Sequence, residues 1–356
     1  MLELFDAGLL PIENSKFLES LPPEVGGQLR LSKLEGMLIG GAIGDVLGNK
    51  LEGSVSKATL APIGAFHPRA HITDDTQLTF LKLETLMEKG WLDPETLATK
   101  LVRERIIGIG STVKKFVKKF KDLKYPWFLA AVESAGNGAL MSLSPVIVPH
   151  LPKPSNILWA DAVVTTRLIY YDRLAISSSV SFTNLLWKCF STNSPPEPEW
   201  WLEEYIKIAR ELEGDQSYYE TRFGEKYRGP GWYYVEKVLT RALEKGMSIL
   251  ELNKFVGSGA YLLETIPITL YIMIQESKNP LLALSYAVGY TKDADTIGAI
   301  VGYLVGALHG IKAFPEHLVV PVIKEKLPKN YLNLVKRCEK MLVESRRVNA
   351  DGCVLI

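Results

Sequence analysis

His71-Ile72-Thr73-Asp74-Asp75-Thr76-Gln77-Leu78-Thr79-Phe80 sets a hydroxyl and two adjacent carboxylates ahead of an apolar run. Leu78, Leu81, Leu86 and Met87 then recur at roughly helical spacing and Gly90 ends the pattern, so the stretch predicts a helix entered at Thr73-Asp74-Asp75. Acids are favoured at a helix start, where unpaired backbone N–H groups and the positive end of the dipole face them. An isolated Thr-Asp-Asp would be no more than an N-cap. Far downstream, however, Asp293-Ala294-Asp295-Thr296 repeats the same chemistry before a second apolar helix, Ile297 to Leu308. If the two entrances meet, four carboxylates converge, and at that density they raise one another's pKa unless cations lie between them. Both clusters offer hard oxygen, with no thiol or imidazole. That set points to Mg²⁺, Mn²⁺ or Ca²⁺ and away from zinc, with two ions as the simplest expectation.

Glycine spacing indicates how the entrances could meet. Gly36, Gly40, Gly44 and Gly48 fall every four residues, and so do Gly298, Gly302, Gly306 and Gly310. On a helix each set makes one face without side chains. A glycine costs about 1 kcal/mol of helix propensity relative to alanine, so two such rows need a reason, and close helix packing supplies one. Packed together, these helices would deliver Asp45, Glu52 and the Asp293 cluster to one place. Glu52 lies in the loop Asn49-Lys50-Leu51-Glu52-Gly53, from which a carboxylate can reach a metal or a reacting water.

The chain has 356 residues, 47% of them hydrophobic, and a formal net charge of +1. This is an ordinary globular composition, and the near-zero charge excludes a general attraction to nucleic acid or anionic membrane. Cys189, Cys338 and Cys353 are scattered, which fits a reducing cytosol better than a disulfide framework. The acids in Met1-Leu2-Glu3-Leu4-Phe5-Asp6 occupy positions where a signal peptide needs basic residues, and the apolar run after Thr296 is too short to span a bilayer. The expected location is cytoplasmic, and the expected state is a monomer. Cys353-Val354-Leu355-Ile356 matches the four-residue prenylation pattern, with Arg346 and Arg347 upstream.

Residues 1–30 mix acids, prolines and short apolar runs and read as an extension or lid. Gly108-Ile109-Gly110-Ser111-Thr112 is a small turn whose amides and hydroxyl can hold a phosphate, although a lone Gly-x-Gly reads first as a plain turn. Lys114, Lys115, Lys118, Lys119 and Lys121, interleaved with Phe116, Val117 and Phe120, read as an amphipathic helix with a solvated basic face. Gly136-Asn137-Gly138 suits ribose hydroxyls or phosphate, or else a type I′ or II turn. Residues 191–233, rich in Pro, Trp, Tyr and Glu, read as an insertion with one short helix whose aromatics pack on the body or line a base-binding cleft. Gly257 to Pro267 opens a further apolar helix. The chain contains no nucleophile elbow, Cys-His pair or Walker loop, and Pro68 between His67 and His71 excludes a zincin site. Strand signals are sparse. The expected fold is a single all-α domain over residues 31–345, with a tail at 346–356.

Together these motifs resemble the ADP-ribosylglycohydrolase family. The resemblance runs from Leu34 to Leu308 and rests on Gly44-Asp45 with Glu52, Thr73-Asp74-Asp75-Thr76, Gly136-Asn137-Gly138 with Met141, Glu264-Thr265-Ile266-Pro267, and Asp293-Ala294-Asp295-Thr296. It implies a compact orthogonal helical domain and a binuclear Mg²⁺ or Mn²⁺ centre. Thr73, Asp74, Asp75, Asp293, Asp295 and Thr296 would be the ligands. It also implies hydrolysis of the bond between ADP-ribose and a modified protein or other acceptor, with Glu52, Asp75 or Asp293 as the proton carrier. Ser134, Gly136, Asn137 and Gly138, with Gly108 and Gly110, would cradle diphosphate and ribose, and Gly259 and Ala260 would lie beside the adenosine half. Three positions depart from the family pattern. Ser142 follows Met141 where an arginine is usual, Tyr170 stands where a histidine is common, and Thr291-Lys292 replaces a Gly-Gly. These changes spare the metal ligands and alter the substrate-holding shell.

Two further readings compete with hydrolysis. One is a non-catalytic ADP-ribose binder or immunity-type protein that blocks an ADP-ribosyltransferase through residues 1–30; retention of all six ligands argues against it. The other is an Asp-rich prenyl-transfer enzyme, which would need acids repeating along the helix after Asp75, and Thr76 to Thr79 contain none.

Overall fold

In the computed structural model, which describes residues 1–25, 30–53 and 66–350, helices dominate. In chain order the first eight are α1 (Leu2–Asp6), α2 (Arg30–Gly48), α3 (Asp74–Lys89), α4 (Pro94–Arg103), α5 (Ser111–Val117), α6 (Trp127–Ala130), α7 (Ile157–Arg167) and α8 (Arg173–Ser191). The others are α9 (Pro198–Glu213), α10 (Gly231–Glu244), α11 (Ile249–Val256), α12 (Leu262–Glu276), α13 (Pro280–Gly289), α14 (Ala294–His309), α15 (Glu316–Pro321) and α16 (Tyr331–Ala350). Among the described residues, strand is limited to the antiparallel pair β1 (Tyr219–Glu220) and β2 (Arg228–Gly229). No helix among them is long and apolar enough to cross a membrane. The prenylation-like Cys353-Val354-Leu355-Ile356 and residues 26–29 of the expected extension lie outside the described residues.

The glycine rows of α2 and α14 face each other. Gly36 lies against Gly306 and Gly310, Gly40 against Gly302, Gly44 against Gly298 and Gly48 against Ala294, so the two helices run antiparallel. A Cβ built on Gly44 would sit 1.9 Å from the Gly298 carbonyl oxygen, and one on Gly306 would sit 2.0 Å from that of Gly36. The backbones are in direct contact, which only glycine permits. As a result the C-terminal end of α2, with Asp45, meets the N-terminal end of α14, with Asp295.

Every residue of α14 from Ala294 to Leu308 is buried, and α13, α8, α12 and α3 pack around it. In the core helix α8 the buried Ser177, Ser179 and Ser181 satisfy themselves locally, and Ser178 pairs with the Tyr205 hydroxyl of the neighbouring helix. Ser179 donates to the Ala175 carbonyl at 2.7 Å and Ser181 to that of Ser177 at 2.9 Å.

Residues 1–25 form a strap seated on this body. Leu10, Ile12, Leu18 and Val25 are buried. The strap is held from α7 and α8: Arg167 Nε donates to the Leu9 carbonyl at 2.7 Å, Trp159 Nε1 to Ser20 at 2.8 Å and Trp187 Nε1 to Pro23 at 2.8 Å.

The segment 191–233 differs from the single short helix read from its composition. It contains α9, sixteen residues long, whose Trp201 and Tyr205 are fully buried against the body. Trp201, Tyr205, Ile208 and Leu212 share a face at helical spacing, a period masked by the flanking prolines and aromatics. The buried Glu213 then accepts the Gly231 and Trp232 amides at 2.5 and 2.9 Å, capping α10. The lysine-rich helix has the expected form, with Phe116 buried and Lys114, Lys115 and Lys118 exposed.

Candidate metal centre and cleft

Thr73 is the N-cap residue of α3, yet it makes no capping bond to its own helix. Asp45 of α2 does that work from outside. Its carboxylate accepts the Thr73 and Thr76 amides at 2.9 and 3.2 Å, and their hydroxyls at 2.8 and 2.5 Å. Burial pushes Asp45 up to about 6 even against these donors. It is the sole charged residue between Gly36 and Gly48, the signal by which this role could have been found. Asp45→Ala strands the Thr73 and Thr76 amides and the Thr76 hydroxyl without their acceptor and is expected to cost roughly 2–4 kcal/mol in urea unfolding. A loss within about 0.5 kcal/mol of zero would refute the capping role.

Around this cap the carboxylates gather in two overlapping sets. Asp45, Asp75 and Asp295 offer oxygens within 4.8 Å of one another, and so do Glu52, Asp293 and Asp295. Asp75 Oδ2 accepts the Thr73 hydroxyl at 2.9 Å and the Thr296 hydroxyl at 3.4 Å, whereas the buried Asp75 Oδ1 has no donor. Burial, with Asp45 and Asp295 adding like charge, holds Asp75 well above the usual carboxylate range. Burial and Asp295 push Asp74 up to about 7, and burial, Asp293 and Glu52 push Asp295 up to about 8. No described lysine or arginine is ion-paired with any of them. An orphaned buried oxygen among mutually repelling hard-oxygen donors fits a divalent cation.

The cluster opens into a cleft of about 310 Å³ lined by Thr73, Asp74, Asp293, Asp295 and Thr296, with the exposed Glu52 at its mouth. Gly108, Gly110, Gly136, Asn137, Gly138, Tyr170 and Ala260 also line it. Gly108 has φ +81° and its Cβ would lie 3.1 Å from Asp74 Oδ1, so glycine is required there. A Cβ on Gly138 would sit 2.2 Å from the Tyr170 hydroxyl, which packs into that space. Asn137 begins a short 3₁₀ turn, and the backbone of Gly136 is ordinary extended chain, so neither turn type expected from Gly-Asn-Gly forms. The Asn137 amide donates to Asp293 Oδ2 at 2.6 Å and to Thr265 Oγ1 at 3.0 Å.

Three expected site residues lie behind the lining. Asp75 is buried below the cleft. Ser134 bonds Thr112 Oγ1 at 2.9 Å and so braces the wall. Gly259 N donates to Glu264 Oε2 at 2.7 Å on the far side of the loop that presents Ala260. Conversely Asn49, Ile107 and Val113 line the cleft without having been singled out, beside Ser111, Thr112 and Met141 of the expected motifs. Lys82 was missed too. Its buried Nζ donates to the Ser142 carbonyl and hydroxyl at 2.8 and 2.9 Å, beneath the loop that carries Asn137 and Gly138, and burial lowers it to about 7.

The family model for ADP-ribosylglycohydrolase matches residues 27–349, spanning both helix entrances and the cleft. The chain belongs to the ADP-ribosylglycohydrolase family. Within that family it is 22% identical to the ADP-ribosyl-[dinitrogen reductase] glycohydrolase of Rhodospirillum rubrum, over 79% of this chain and 87% of that one. It is 24% identical to an ADP-ribosylhydrolase of Mus musculus, over 80% and 86%. A solved structure described as an ADP-ribosylglycohydrolase-related protein complex superposes with a TM-score of 0.61 at 21% identity, covering 89% of this chain and 99% of that one, and shows the same helical fold. Family membership supports a hydrolase, and the acidic cluster is where a metal could bind.

Proposed function

We propose that this protein is a metal-dependent hydrolase that cleaves the glycosidic bond between ADP-ribose and an acceptor, reversing ADP-ribosylation. The observation that carries the reading is Asp75 Oδ1, a buried carboxylate oxygen without a donor amid Asp45 and Asp295, directly behind a cleft lined by glycine amides. Thr73, Asp74, Asp75, Asp293, Asp295 and Thr296 would hold two Mg²⁺ or Mn²⁺ ions. When bound, these would neutralise the cluster, orient the ribose hydroxyls and lower the pKa of a coordinated water.

The chain's own residues then have separable tasks. Gly108, Gly110 and Gly136 leave room for a diphosphate against the backbone, and Asn137, tied to Asp293, fixes the wall beside the ribose. Asp75 lies behind the lining, which leaves Glu52 and Asp293 to exchange protons with substrate. Glu52 is the exposed member and is our choice. Its carboxylate takes a proton from the attacking water as that oxygen bonds to the anomeric carbon. The bond to the acceptor breaks, its electron pair goes to the acceptor heteroatom, and a proton returns there. No residue of the described strap, 1–25, lines the cleft.

The test is to incubate the purified protein with arginine- and serine-ADP-ribosylated peptides, with Mg²⁺, Mn²⁺ or chelator, and to quantify free ADP-ribose. Release that requires metal supports the reading and names the linkage. Tight ADP-ribose binding without release from either peptide would sink it in favour of a binder.

A further inference from the structure

The wall of the cleft continues outward as a surface that the proposed chemistry does not use. Ile107, Ser111 and Thr112 line the cleft, and the chain then runs through α5, a π-helical turn over Lys118–Asp122, and α6. Between residues 103 and 124 there are eight lysines and arginines against two acids, in a chain whose net charge is +1, so this region holds a local excess of positive charge. Lys114, Lys115, Lys118, Lys121 and Lys124 are exposed, and none is in an ion pair among the described residues. Lys119 instead donates to the Ala131 carbonyl at 2.8 Å and ties the turn to the body.

A merely solvated basic face would need no exposed apolar side chains. Here Ile107, Leu123, Tyr125 and Leu129 are 45%, 53%, 46% and 51% exposed within the same stretch. The elements carrying them pack on one another, α4 on α5 and α6, and α6 on the π-helical turn. Exposed apolar groups rimmed by unpaired charge are the composition of a protein-docking surface.

We infer that this surface docks an acidic, apolar-containing segment of the modified acceptor protein and so selects which ADP-ribosylated proteins are processed. The inference rests on the hydrolase reading above. Charge complementarity chooses the partner: a peptide with Asp or Glu beside the modified residue meets the lysines while its apolar side chains meet Leu123, Tyr125 and Leu129. A nucleic-acid acceptor fits less well, because its phosphate backbone offers little to the exposed Leu123, Tyr125 and Leu129.

The experiment compares the full chain with a Lys114→Glu/Lys115→Glu/Lys118→Glu variant and a Leu123→Ser/Leu129→Ser variant, each checked for unchanged thermal unfolding. Substrates are ADP-ribosylated peptides with acidic or neutral flanks and an ADP-ribosylated RNA oligonucleotide. On the acidic peptide both variants are expected to raise KM by about tenfold with kcat unchanged, the lysine effect shrinking as salt rises. On the neutral peptide neither should matter. Equal losses on both peptides would assign the lysines to the ADP-ribose diphosphate and overturn the inference, as would unchanged KM on the acidic peptide or a preference for the RNA. Fluorescence anisotropy with the unmodified acidic peptide reads docking without catalysis. Loss of its binding in both variants supports the surface even if no linkage is hydrolysed, and undiminished or absent binding refutes it.

Discussion

Asp295→Asn is expected to abolish metal-dependent release of ADP-ribose while making the metal-free protein more stable. Asp295 belongs to both carboxylate sets, so replacing its charge weakens both proposed metal positions at once. The carboxamide still offers an oxygen to the Thr296 amide, which Asp295 Oδ1 accepts at 3.0 Å, so the start of α14 survives. The loss of turnover should be roughly 10³-fold or more, about 4 kcal/mol of transition-state stabilisation. Stability moves the other way because burial, Asp293 and Glu52 hold Asp295 up to about 8. A carboxyl whose folded pKa is raised favours folding below its ordinary value near 4, and that contribution is lost as pH climbs through the folded value. The metal-free wild type should therefore lose stability between about pH 4 and pH 8, and Asp295→Asn should lose less. Added Mg²⁺ or Mn²⁺ should raise the wild-type Tm more at pH 8 than at pH 5 and leave the variant nearly unmoved. Differential scanning fluorimetry across pH, with and without metal, decides this independently of activity. A variant whose Tm still rises with metal as the wild type's does would show that Asp295 holds no ion.

Gly44→Ala is expected to be among the most damaging single methyl additions in the chain. The new Cβ would fall 1.9 Å from the Gly298 carbonyl oxygen and 2.2 Å from its carbon, and both are backbone atoms that no rotamer change can clear. The helices must separate by an ångström or more, opening contacts along the row from Gly36 to Ala294. The gain of up to about 1 kcal/mol in helix propensity is far too small to compensate. A loss of more than about 4 kcal/mol, or failure to fold, is the expected outcome. Gly289→Ala is the control: it too lies in a helix, nothing approaches its Cβ within 4 Å, and its φ is ordinary. That variant should be neutral or slightly more stable in chemical denaturation. Equal behaviour of the two would show that the glycine rows are dispensable for packing.

The resemblance adds the direction of the chemistry, but the residues already carry much of the architecture. The acid-and-hydroxyl entrances at Thr73 and Asp293, the Gly90 stop and the four-residue glycine period are local patterns. Local patterns are read by the same rules in the sequence as in the fold: α3 begins at Asp74, α14 at Ala294, and the two glycine rows meet. The all-α class follows from the same periodicity, set by neighbours three or four residues apart.

What the sequence by itself determined about this protein is thus its all-α class, the position of its acids at two helix starts and the closeness of α2 to α14. Only the tertiary structure decided which acid does what. Asp45 became the cap of a helix whose N-cap residue, Thr73, lies 28 residues after it, and Lys82 found its acceptors 60 residues away in Ser142. Asp75 turned behind the cleft while Glu52 stayed at its mouth, Ser134 and Gly259 braced the walls, and the first 25 residues became a strap. The physical reason is that a helix start or a glycine row is selected by bonds within a few residues. The partner of a buried carboxylate or ammonium is selected by whichever distant donor or acceptor the completed packing leaves within hydrogen-bond reach.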